Sequence, residues 1–202
     1  MYVKVCGLST VESVRAAVEA GADAIGVVHA QGSPRHVERD VAREVVAAAG
    51  CSVDTVLVVA HLLPDEAARL ALDLGVSVLQ LHGSYSGEDF EVACSTFPRV
   101  WRATSLAHDP DLHVGAWGEE LLLLDAPNAG SGQQWDVGAL ANNHPDGRWI
   151  LAGGLNPGNV AKAIEAAQPW GVDVSSGVES APGVKDLEKI AEFVSQARST
   201  GM

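Results

Sequence analysis

Leu151-Ala152-Gly153-Gly154-Leu155-Asn156-Pro157-Gly158-Asn159-Val160 is an apolar run that stops in two glycines and hands over to a helix start. Gly153 and Gly154 carry no Cβ, so the backbone there can approach a ligand closely. Asn156 has the chemistry of an N-cap and Pro157 that of a first helical residue, which places the start of the next helix at that point. The stretch is answered by Val172-Asp173-Val174-Ser175-Ser176-Gly177-Val178-Glu179, a second apolar strand ending in small polar residues. Hydroxyls and free N–H groups converging from two adjacent loops, one opening a helix, make a cradle for a phosphate. Glycine-rich turns are common, so either loop alone decides little. Paired in the last third of the chain, they match the loops after strands seven and eight of a (β/α)8 barrel, where phosphate sites recur.

The chain upstream has the period that this placement requires. Val3–Cys6, Ala24–Val28, Thr55–Val59, Val78–Leu81, Arg99–Ala103 and Leu121–Asp125 are short apolar runs, and Trp149–Ala152 and Gly171–Val174 bring the number to eight. Helical spacing separates most of them. Ser9 with Glu12 reads as a capping box, and Val11, Val14 and Val18 follow before Gly21 stops the helix. Val37, Val41 and Val45 mark the next helix, Pro64–Leu74 a third, and Phe90, Ala93, Cys94 and Phe97 a fourth. Thr104–Gly118 has no clean period and predicts a short helix only; a further helix is expected near Asp136–Asn142, and Leu187, Ile190, Ala191 and Val194 mark the last. Continuous apolar strands alternating with helices call for a parallel sheet covered on both faces. Eight such units predict a single (β/α)8 barrel domain over residues 1–202. The alternative, a doubly wound open sheet, lacks its Gly-x-Gly-x-x-Gly turn after the first strand.

Composition narrows the function. A hydrophobic share of 47% with 19% charged residues describes a folded globule. A formal net charge of −13 argues against nucleic acid or an anionic membrane as partner. An anionic substrate must then be held by local donors. Cys6, Cys51 and Cys94 show no metal-ligand spacing, so neither a disulfide framework nor a metal site is expected. The opening Met1-Tyr2-Val3-Lys4-Val5 enters a strand directly, and no run reaches the ~18 apolar residues of a membrane span, so a cytoplasmic protein is expected. Polar outer helix faces favour a monomer.

In a barrel the reacting groups stand at the C-terminal ends of strands. Cys6 ends the first strand and Asp125 the sixth, giving a base and an acid on two sides of the mouth. A thiol near a phosphate site and helix termini is expected to have a lowered pKa. Asp125 ends a run of four leucines, where a carboxylate has little structural work to do. Arg35, before a helix start where a cation is unfavourable, suits a carboxylate ligand through its planar fork. Gln80 and His82 stand at the fourth strand, with Gln80 expected to point into a polar mouth. Ala129-Gly130-Ser131-Gly132 has the composition of a lid.

Lys4-Val5-Cys6-Gly7-Leu8, Ser33-Pro34-Arg35, Leu79-Gln80-Leu81-His82-Gly83, Leu124-Asp125 with Gly130-Ser131-Gly132, Gly153-Gly154-Leu155 and Asp173–Glu179 occur in one order across nearly the whole chain. As a set, these stretches resemble the phosphoribosylanthranilate isomerase family. The resemblance implies a (β/α)8 barrel that uses no metal or organic cofactor. It implies an Amadori rearrangement of N-(5-phosphoribosyl)anthranilate to 1-(2-carboxyphenylamino)-1-deoxyribulose 5-phosphate on the way to tryptophan. It further implies Asp125 as general acid, Cys6 as base and Arg35 as the grip on the anthranilate carboxylate, with Gly153, Gly154, Ser175, Ser176 and Gly177 around the phosphate. Val28–Gly32 and Gln133–Val137 depart from the family pattern in their aromatic and lysine content. Two readings compete. The sugar-phosphate isomerase of histidine biosynthesis resembles a longer chain with aspartate where Cys6 stands; a non-catalytic phosphate-binding barrel would not need both Cys6 and Asp125.

Overall fold

Eight parallel strands close on themselves. The computed structural model describes residues 1–108, 110–125 and 144–200. The strands are β1 (Tyr2–Cys6), β2 (Ala24–His29), β3 (Asp54–Val59), β4 (Val78–His82), β5 (Val100–Ser105), β6 (Leu121–Asp125), β7 (Trp149–Leu151) and β8 (Gly171–Val174). They form a closed barrel in sequence order, with β8 pairing back onto β1 through Lys4↔Asp173 and Val5↔Val174. The open sheet is thereby excluded.

Each strand alternates between two cores. Val3, Val5, Ile25, Leu57, Leu79, Leu122 and Val172 point outward to the helices and are fully buried. The lumen holds a separate cluster that includes Cys6, Val28, Val58, Trp101, Leu123 and Ile150. Burial on both faces explains why the strands read as continuous apolar runs with no polar alternation.

The helices α1 (Val11–Glu19), α2 (Arg39–Ala49), α3 (Pro64–Leu74), α4 (Gly87–Thr96), α5 (Val160–Ala167) and α6 (Leu187–Ser199) pack outside the barrel. Several boundaries differ from expectation. Thr10, not Ser9, caps α1, its side chain accepting from the Ser13 N–H. The buried face of α2 is Ala42, Val45, Val46 and Ala49, while Val41 is exposed. Here the small alanines pack against the sheet, and they carry less periodic signal than valine. α5 is capped at Asn159, three residues beyond Asn156, because Asn156 Oδ1 accepts from the Gly158 N–H and closes a local turn first. Between β5 and β6 the described residues hold only a 3-10 turn, Leu106–His108. The expected helix at Asp136–Asn142 and the Ala129–Gly132 loop lie outside the described residues.

After β8 the chain makes a hairpin absent from the sequence expectation, β9 (Glu179–Ala181) with β10 (Val184–Lys185). Gly183 lies so close to the Pro34 carbonyl that a Cβ there would collide with it. The hairpin therefore braces the loop that carries Arg35.

Candidate active site

The C-terminal ends of the strands surround a cavity of about 240 Å³, lined by Cys6, Arg35, Gln80, His82, Asp125, Gly153, Gly154, Asp173, Ser175 and Ser176 among others. Nine of the ten proposed site residues lie in that wall. The tenth, Gly177, serves the wall from behind. A Cβ there would run into the Leu155 carbonyl, so its glycine lets the loops after β7 and β8 pack backbone to backbone. Gly153 and Gly154 both hold positive φ, +86° and +68°, which turns the β7 loop at the cavity edge.

Cys6 is buried and ends β1 inside the lumen. Its neighbour across the ladder is Gly26, whose Cα faces the thiol so closely that a Cβ would sit 2.9 Å from Sγ. The expected lowering of its pKa is not found. Burial pushes the Cys6 thiol up; Lys4 and Lys185 pull it back, and Asp173 adds to the rise. Desolvation outweighs the nearby cations because a thiolate in the lumen loses its water.

Two charged clusters that sequence reasoning did not assign flank the thiol. Beneath it Lys4, fully buried, donates to Asp173 Oδ1 at 3.0 Å. Beside it Glu179 accepts from Arg35 Nε at 2.7 Å and from Arg35 Nη2 at 3.0 Å, and Lys185 Nζ reaches the same carboxylate at 2.8 Å. Lys185 also donates to the Ser175 carbonyl at 2.8 Å, and Ser175 Oγ donates to the Cys6 carbonyl at 3.1 Å. Arg35 is therefore held by a protein carboxylate in a bidentate clamp while still lining the cavity. Two cations against one carboxylate leave this cluster net positive, in a chain of net charge −13. Burial opposes the Glu179 carboxylate, yet Arg35 and Lys185 outweigh it and hold it below the usual range. Lys185 is lowered by burial, with Glu179 opposing.

Across the mouth, Gln80 is 2% exposed and its Oε1 has no hydrogen-bond partner among the described residues. A buried amide oxygen left open toward a cavity is costly unless a ligand satisfies it. His82, beside it, is held below its usual pKa by burial and then by Lys4, so its imidazole is neutral at pH 7. Asp125 ends β6 at the rim. A second cavity of about 420 Å³ shares His82 and Asp125 and continues past Ser84, Tyr85 and Thr104. Among the described residues no group of three or more His, Cys, Asp or Glu could hold a metal ion, and no helix is long and apolar enough to cross a membrane.

Lys4 and Asp173 were readable in principle. Each is a charge in the middle of an otherwise apolar strand, a position that demands a partner. Glu179 and Lys185 were not, since their meeting depends on the hairpin.

Residues 3–196 match the family model described as N-(5′-phosphoribosyl)anthranilate (PRA) isomerase. The chain belongs to that family. It is 41% identical to the N-(5′-phosphoribosyl)anthranilate isomerase of Erythrobacter litoralis, with 98% of each chain covered. The crystal structure of TrpF from Jonesia denitrificans superposes with a TM-score of 0.93 at 60% identity, covering 99% of this chain and 98% of that one. A phosphoribosylanthranilate isomerase solved in complex with reduced 1-(o-carboxyphenylamino)-1-deoxyribulose 5-phosphate superposes with a TM-score of 0.86 at 30% identity, covering 98% and 99%.

Proposed function

We propose that the chain rearranges N-(5-phosphoribosyl)anthranilate to 1-(2-carboxyphenylamino)-1-deoxyribulose 5-phosphate, with Asp125 as acid and Cys6 as base. Family membership makes it an isomerase of tryptophan biosynthesis that acts on a phosphorylated small molecule. The observation that carries the residue assignment is the meeting of Cys6 and Asp125 in one cavity wall, on strands three ladder steps apart, next to the β7 and β8 loops.

Asp125 gives its proton to the furanose ring oxygen as the C1′–O bond breaks. The anilino nitrogen supplies the electron pair and becomes an iminium. Cys6, as thiolate, removes the C2′ proton; the C–H pair becomes the C1′=C2′ bond and neutralises the iminium nitrogen. The enolamine then relaxes to the ketone. Acid and base thus act on the two atoms that flank C1′ of one substrate, which needs them fixed on a rigid frame. Strand ends supply that frame.

The phosphate is held between Gly153-Gly154 and Ser175-Ser176, with Gly177 keeping the two loops in register. Arg35, clamped by Glu179, meets the anthranilate carboxylate with its remaining guanidinium edge. Gln80 Oε1 and neutral His82 supply uncharged hydrogen-bonding groups nearby.

Cys6→Ser and Asp125→Asn test the roles. Each should lower kcat by about 10²–10⁴-fold, the size of a lost general acid or base, while product binding by fluorescence titration stays close to normal. Near-normal turnover in either variant would remove that residue from its role.

A further inference from the structure

A base that must be a thiolate sits where burial raises its pKa, and this calls for a device that favours the charged form. Lys4 is placed to be that device. It lies two residues before Cys6 on β1, so both side chains enter the lumen on the same face. It is 0% exposed and donates to the carboxylate of Asp173, its register partner on β8, at 3.0 Å. Asp173 itself reaches the cavity wall beside Cys6, whereas Lys4 does not. An ammonium buried this deeply is costly to desolvate and weak evidence for a purely stabilising role.

We infer that Lys4 and Asp173 form a positioning pair for Cys6, in which the Lys4 ammonium shares its charge between the Asp173 carboxylate and the Cys6 thiolate. Lys4 stays protonated throughout and never touches the substrate. When Cys6 is a thiol, Asp173 alone balances Lys4. When Cys6 is a thiolate, the ammonium lies between two anions and leans toward the sulfur. Asp173 thus acts as a brake. It keeps the ammonium in the lumen, and it limits how far Lys4 can favour the thiolate.

The charged and titratable groups around the thiol come from several elements: Lys4 on β1, Asp173 on β8, Glu179 on β9 with Lys185 on β10, Arg35 in the β2 loop, His82 on β4 and Asp125 on β6. Of these, Lys4 and Lys185 favour the thiolate and Asp173 opposes it. The pair therefore makes a prediction of two signs. Removing Lys4 should weaken the thiolate; removing the charge of Asp173 should strengthen it. A purely structural role would give no such opposition, since both changes would simply loosen the lumen.

This inference rests on Cys6 as the base, and the experiment separates the two. The rate of iodoacetamide alkylation at Cys6 is followed against pH by peptide mass spectrometry, which distinguishes it from the exposed Cys51 and the half-buried Cys94. The pH profile of kcat/KM is measured in parallel. Lys4→Met should slow alkylation at pH 8 by about tenfold, equivalent to a rise of about one pH unit in the thiol midpoint, and move the acid limb of kcat/KM up by a similar amount. Asp173→Asn, which still accepts a hydrogen bond from Lys4, should move both midpoints the other way. If Lys4→Met fails to fold by circular dichroism, the downward shift in Asp173→Asn decides. A shifted alkylation midpoint with an unmoved kcat/KM profile would keep the pair and overturn Cys6 as base. Unmoved alkylation in a folded variant, or shifts of the same sign in both, would overturn the pair.

Discussion

Gly26 has no chemistry of its own, yet it decides where the thiol sits. Its missing Cβ leaves the space that Cys6 Sγ occupies, so Gly26→Ala must push the sulfur away from the lumen side of β2 or twist the ladder. A displacement approaching 1 Å of a reacting group costs about 10²-fold. Gly26→Ala should therefore lower kcat by roughly that factor with KM little changed, measured by steady-state kinetics. A loss confined to KM would place the strain in substrate binding. At this scale much of the site could be read from the chain. Cys6, Asp125, Gly153 and Gly154 declare themselves because each is an odd residue at the end of an apolar run. The raised pKa of Cys6 could not be read, because it depends on how much water the closed lumen excludes and on two lysines, one from the same strand and one from the hairpin. The role of Glu179 stayed hidden for a like reason: its partner Arg35 lies 144 residues away.

The segment joining β5 to β6 shows how an element can be held without secondary structure. Arg102 points out of the barrel, donates to Glu119 at 2.7 Å and to the His113 carbonyl at 3.2 Å, and stacks over Trp117 at 4.6 Å. Both charged side chains are almost fully buried, at 2% and 0% exposure. This pair replaces helical periodicity as the reason for the fold of residues 110–118, which explains why Thr104–Gly118 has no readable pattern. Removing one partner strands the other, so Arg102→Leu should cost about 3–5 kcal/mol in urea unfolding. Arg102→Leu combined with Glu119→Leu should recover most of that cost, giving a large coupling energy in the double-mutant cycle. Simple additivity of the two single changes would show that the pair is not what anchors the segment. The start of α5 teaches the same lesson. Asn156 and Pro157 are good helix-start residues, but the local turn made by the Asn156 side chain wins over the cap.

Taken whole, the barrel keeps its chemistry at one end and its stability at the other. At the N-terminal end Asp54 accepts from Tyr2 at 2.8 Å, from Arg99 at 2.6 Å and from Ser77 at 3.0 Å, tying β1, β3 and the starts of β4 and β5 together. Burial works against the Asp54 carboxylate, but Arg99, Tyr2 and Ser77 outweigh it and hold it below the usual range. A lowered folded-state pKa means that the unfolded chain takes up the proton first as pH falls. The contribution is complete above the unfolded value of about 3.9 and is lost progressively below it, through the lower folded value. Urea midpoints between pH 6 and pH 3 should fall more steeply in the natural chain than in Asp54→Asn; parallel curves would contradict this. Asp173, raised by burial, works in the opposite direction, so the comparison of the two proteins isolates Asp54. The eight-stranded architecture was legible because every strand is buried on both faces and each is short. Closure itself was an inference from their number, and only the β8-to-β1 ladder establishes it.

The most direct measurement is the loss of anthranilate-type fluorescence when purified protein meets N-(5-phosphoribosyl)anthranilate generated in place, with the product's ketone carbon identified by NMR. Protein-dependent loss that yields this ketone, and that Asp125→Asn slows by about 10²–10⁴-fold, is the expected result. Binding of the phosphorylated substrate without any ketone above the uncatalysed rate would contradict it, leaving a barrel that holds a phosphate ester and does not isomerise it.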